Sequence, residues 1–156
     1  MKRMIPLAAM LLAVPVAWAQ GHAGHNLYFG GGFGSAEVPQ AEETQAALQL
    51  IVGLPLTPLP QAGALPYGYS LEAGYVDVSD YPYDRYWGSA VVRRYLNSDI
   101  DLLLRLGTEA GNNEGFLTPL GALGVEYKSD APFRVRLEVI ERADSPMAMI
   151  NFIYQP

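Results

Sequence analysis

The sequence predicts an all-β fold: an eight-stranded, antiparallel, up-and-down transmembrane β-barrel. Three observations predict it. Segments of strand length alternate, with apolar residues on one parity and charged or small residues on the other. The polar parity carries Glu72, Arg93, Arg105, Glu126, Arg134, Arg136 and Glu138, too many charges for an ordinary solvent face. The apolar parity is almost uninterrupted. In a soluble protein the apolar parity faces a core, whereas a barrel with lipid outside and a polar interior reverses that arrangement.

Residues 1–19 have the pattern of a secretory signal peptide. Lys2 and Arg3 form a positive start, Ile5 to Val16 a short apolar run, and Ala17-Trp18-Ala19 a small-residue cleavage site. The run is short for a membrane-spanning helix of about 20 residues. The expected barrel domain is therefore 20–156. Ten basic against sixteen acidic residues give a formal net charge of −6, which argues against a nucleic-acid partner. Cysteine is absent, so disulfide and thiol chemistry do not apply.

The polar leader QGHAGHN precedes a glycine-rich strand, LYFGGGFGSAEV. Leu27, Phe29 and Phe33 share one parity, and Gly30, Gly32 and Gly34 the other. The segment from Thr44 to Leu56 carries a conflict. Its Ala, Glu, Gln and Leu content favours a helix. Its parity favours a strand, with Ala46, Leu48, Leu50, Val52, Leu54 and Leu56 on one side and Gln45, Ala47, Gln49, Ile51 and Gly53 on the other. The length of strict alternation selects the strand.

Six further strands follow, in YGYSLEAGYVDV, RYWGSAVVRRYL, IDLLLRLGT, TPLGALGVEYK, FRVRLEVIER and MAMINFIYQP. Each keeps one parity apolar while the charged and small residues fall on the other, which also holds some apolar ones: Leu102, Leu104 and Leu106 stand opposite Asp101, Leu103 and Arg105, and Ile150 and Phe152 opposite Met149, Asn151 and Ile153. Arg94 breaks the pattern, being on the apolar parity, but it lies close enough to a turn to reach headgroups with its long side chain.

An even number of strands closes an antiparallel barrel without a free edge, as lipid requires. Strands of about 9–11 residues are long enough to cross. The connections at Asn97–Asp99 and Lys128–Pro132 are tight, and those at SDYPYDR, EAGNNEGF and RADSP are longer or more acidic, matching short inner turns and longer outer loops. The connection at Thr57–Pro66 is longer than that rule expects.

Charges withdrawn from water need partners. Closure is expected to pair Glu72 with Arg134 or Arg136, and Arg93 and Arg105 with Glu126 and Glu138. Aromatic residues near strand ends, Tyr28, Tyr67, Tyr69, Tyr86, Trp87, Tyr95, Tyr127, Phe133 and Tyr154, are expected to form an interfacial girdle.

No catalytic, cofactor-binding or metal-ligating set is expected. His22 and His25 are only two ligands, on a flexible leader. Glu42, Glu43, Asp77, Asp80, Asp84, Glu109, Glu114, Glu141 and Asp144 are read as solvated loop carboxylates rather than a divalent-cation site. Gly30-Gly31-Gly32 lacks the Lys-Ser/Thr and the helix of a phosphate loop. Carboxylates in a filled lumen lack the substrate access that acid–base catalysis needs.

The motifs SLEAGYVDV, SDIDLLLRLGTEAG, GALGVEYK and RVRLEV, in that order, resemble strands of the small OmpA/OmpX-type outer-membrane barrels. The likeness runs from about Tyr67 to the end of the sequence, and the first two strands match only in pattern. The resemblance implies residence in the outer membrane, insertion by the barrel-assembly machinery, outer-membrane lipid as surroundings, and an interior polar network including Glu72, Arg105, Glu126, Arg136 and Glu138. It departs at the end, where Gln155-Pro156 follows Phe152-x-Tyr154 in place of a terminal aromatic residue. The expected role is structural, in envelope integrity, with a narrow gated pore as an added possibility. The alternatives are a soluble exported lipocalin-like binding barrel and a surface adhesion or receptor barrel acting through its outer loops.

Overall fold

The computed structural model describes residues 27–37, 44–57, 66–79, 85–111, 117–129, 131–142 and 146–156. The signal peptide, His22 and His25, and the loop carboxylates Glu42, Glu43, Asp80, Asp84, Glu114 and Asp144 lie outside them.

Eight strands run in chain order: β1 (Tyr28–Ala36), β2 (Gln45–Pro55), β3 (Tyr67–Val78), β4 (Arg85–Tyr95), β5 (Ile100–Gly111), β6 (Thr118–Lys128), β7 (Phe133–Arg142) and β8 (Met147–Tyr154). Each pairs antiparallel with its neighbour, and β1 pairs with β8 to close the barrel. The segment with helical composition is β2. Its parity decides its structure, because Leu48, Leu50 and Leu54 point outward while Ala47, Gln49 and Ile51 point in. Among the described residues no helix is long and apolar enough to cross a membrane; the candidate crossing elements are strands.

The apolar parity faces out. Leu48, Leu71, Leu106, Leu123, Leu137, Val139 and Phe152 are exposed around the wall, and together they form a band that water would not tolerate. This orientation overturns the lipocalin-like alternative, which needs the same residues turned inward around a ligand.

The interior has two layers. The half nearer the turns at 96–99 and 129–132, here the turn end, is filled by charged and polar groups. The half nearer the other end, the loop end, is lined by Ala36, Ala47, Val76, Val78, Leu120, Ile140 and Met147. The turn end is tied by backbone bonds between neighbouring connections, with Lys128 N donating to Asp99 O at 2.7 Å and Tyr95 N to Pro66 O at 2.8 Å.

The closing seam depends on the glycines of β1. A Cβ at Gly32 would come within 2.3 Å of Ile150 O, and one at Gly34 within 1.9 Å of Ala148 O. The two strands can approach this closely only where the inward positions of β1 have no side chain.

A lumen ion network as the candidate functional site

Glu72, at the middle of β3, is the hub of the polar layer. Its carboxylate accepts from the Tyr28 hydroxyl, from Arg93 Nη2 at 3.1 Å and from Arg105 Nη2 at 2.8 Å, and it pairs with Arg136 Nη1 at 3.0 Å. These donors come from β1, β4, β5 and β7, so one carboxylate ties together strands from around the wall.

Two further carboxylates extend the network. Glu126 accepts from Arg134 Nη1 at 3.0 Å and Arg136 Nε at 2.9 Å, and lies 3.7 Å from Arg93 Nε. Glu138 pairs with Arg105 Nη2 at 2.9 Å and accepts from Asn151 Nδ2 at 3.0 Å. All seven sequence-selected charges thus meet in one cluster. Arg93 and Arg105 meet Glu72 in addition to the expected Glu126 and Glu138, and Arg134 departs from one expected choice. It meets Glu126 rather than Glu72, because its place near the start of β7, opposite Lys128, sets it close to the lumen mouth. Beside it, Lys128 Nζ donates to Asp101 at 2.7 Å.

A second, smaller cluster sits at the loop end. Arg85 Nη1 donates to Glu109 at 2.8 Å, and Arg142 Nη2 lies 2.7 Å from the same carboxylate. Glu109 is therefore not a loop carboxylate. It is a buried residue of β5, on the same inward parity as Arg105. Parity held the signal for this cluster: Arg85 shares the parity of Arg93, and Arg142 that of Arg136. Tyr28, Ser70 and Asn151 also enter the polar layer, each from the inward parity of its strand.

The expected girdle needs correcting at three positions. Tyr67, Tyr69, Tyr86, Tyr127, Phe133 and Tyr154 do point outward, with Phe133 and Tyr154 in tilted contact at 5.1 Å and Tyr86 against Tyr75 at 5.3 Å. Trp87, Tyr28 and Tyr95 turn inward. Each lies over a glycine of a neighbouring strand, Trp87 over Gly74, Tyr28 over Gly53 and Tyr95 over Gly68, and the ring takes the space of the missing side chain. Cations face the same rings: Arg105 stands 4.4 Å from the Trp87 ring, Arg93 5.3 Å from that of Tyr28, and Lys128 5.1 Å from that of Tyr95.

The arrangement fills the turn-end half of the lumen with paired charges. Each carboxylate of the main network is held by arginines, and among the described residues no group of three or more His, Cys, Asp or Glu is arranged to hold a metal ion. The cavity between the two ion clusters measures only about 10 Å³.

No protein-family model matches the chain, and no curated protein does. Solved structures match its fold. The outer membrane enzyme PagL has a TM-score of 0.66 at 10% identity, over 83% of this chain and 99% of that one. A de novo designed transmembrane β-barrel has a TM-score of 0.60 at 12% identity, over 84% and 96%. The Yersinia pestis outer membrane protein Ail has a TM-score of 0.54 at 10% identity, over 84% and 99%. The chain has the fold of these small eight-stranded membrane barrels.

Proposed function

We propose that this protein is a non-enzymatic barrel of the outer membrane, exported by its N-terminal signal, and that it serves the integrity of the envelope. The observation that carries this reading is the two-sided wall: an apolar band outside and a largely neutralised ion network inside. Outer-membrane lipid is its surrounding partner, and the barrel-assembly machinery inserts it. At rest the lumen is closed, since any narrow pore would require ion pairs such as Arg105–Glu72 to part.

The test is fractionation combined with gel mobility before and after boiling. The protein should partition with outer membranes and shift in mobility when boiled. Recovery as a soluble periplasmic protein with unchanged mobility would sink the reading. In planar bilayers it should stay silent at all voltages, and steady conductance would replace a closed lumen with a pore.

Adhesion through the outer loops is the second reading. Its support is the fold shared with Ail, an attachment invasion locus protein. Loop deletions that abolish cell attachment while leaving envelope integrity intact would favour it.

A further inference from the structure

We propose that the barrel holds one resident water molecule in the small cavity between its two ion clusters, with Gln49 as its positioning residue. The cavity is bounded by Gln49, Trp87, Arg105, Glu109 and Arg142, together with apolar side chains from β3, β6, β7 and β8. Its volume of about 10 Å³ meets the lower bound for one water. It has no room for a phosphate or a hydrated cation.

The lining groups have hydrogen-bonding capacity left over. Gln49 is only 2% exposed, yet neither its amide nitrogen nor its amide oxygen has a partner. Arg105 uses Nη2 on Glu72 and Glu138, while its Nε and Nη1 remain without hydrogen bonds. Arg142 Nε is in the same condition, and Glu109 Oε2, 2.7 Å from Arg142 Nη2, has lone-pair capacity for a further donor. Buried polar groups are rarely left so, and bound water commonly satisfies them with about three hydrogen bonds.

The mixture of donors and acceptors identifies the ligand. Arg105 and Arg142 offer N–H groups, which a halide would satisfy as well as water does. Gln49 Oε1 needs a hydrogen, which a halide lacks and water supplies, and the Glu109 carboxylate beside it would repel a halide. A water here would join Arg105 of the main network to the Arg85–Glu109–Arg142 cluster. The two ion clusters then form one hydrogen-bonded column through the lumen.

The test is water-to-protein magnetisation transfer by NMR on the refolded barrel in micelles. Cross-peaks to a long-lived water are expected at the Gln49 side-chain amide and at Arg105 Nε–H. In Gln49→Leu the Arg105 cross-peak should disappear. Absence of both cross-peaks in the unsubstituted protein would overturn the proposal, and this result needs no variant to fold. Persistence at Arg105 in Gln49→Leu would remove Gln49 from the site. Shifts of the Arg105 and Arg142 side chains on titration with bromide would identify an anion site instead.

Discussion

Glu72 carries the largest share of the interior's pairing. Replacing it with alanine leaves Arg93, Arg105 and Arg136 facing one another with only Glu126 and Glu138 between them. Breaking a buried pair from one side costs about 3–5 kcal/mol. Urea unfolding in lipid vesicles should register a loss of that size for Glu72→Ala. Arg134 stands at the wetter lumen mouth, its side chain 18% exposed, and Arg134→Ala should cost about 1 kcal/mol or less in the same assay. Trp87 gives a second test at this scale. With residues 1–19 removed it is the one tryptophan of the chain, since the other is Trp18. Because it lies inside over Arg105, brominated lipid should leave its fluorescence nearly unquenched, whereas Tyr127→Trp in a Trp87→Phe background should be quenched strongly. Strong quenching of Trp87 itself would place the ring on the outer wall and contradict the interior described here.

The strands were legible from sequence because their signal is local. Parity repeats every two residues, and it outweighed helical composition in β2, where the outward leucines needed a lipid-facing wall. Trp87 shows what happens when parity is set aside. It shares the inward parity of Arg93, and only its position near a strand end suggests a girdle. The pairing of the charges was not legible, because register and closure decide it: Glu72 and Arg136 lie 64 residues apart in the chain. Nor does the sequence show why β1 is glycine-rich until β8 is placed beside it. Gly32→Val should prevent this seam from closing, and the variant should lose its unboiled mobility form while Gly31→Ala, which meets only ordinary contacts at about 3.5 Å, should keep it. On the outer wall, Leu104→Arg places a charge among lipid-facing leucines of β5. A cost of about 2–4 kcal/mol is expected near the bilayer midplane, measured by unfolding in vesicles.

The whole molecule combines a short, simply connected chain with an interior that no single hairpin can complete. Each β-ladder except the β1–β8 seam joins neighbours in sequence, so hairpins are available early. The hub contacts of Glu72 span 21, 33, 44 and 64 residues, to Arg93, Arg105, Tyr28 and Arg136. A half-built barrel would therefore leave this hub incomplete: β1–β4 alone hold Glu72 and Arg93 without Arg105 and Arg136, and unbalanced charge of this kind is penalised by lipid. Contacts so distant in sequence also slow folding, since chain entropy is lost before they form. Kinetically, the hub acts as a late checkpoint: the transition state should contain the β-ladders but little of the Glu72 pairing. Glu72→Ala should then accelerate unfolding far more than it slows folding, and unfolding should remain a single cooperative step.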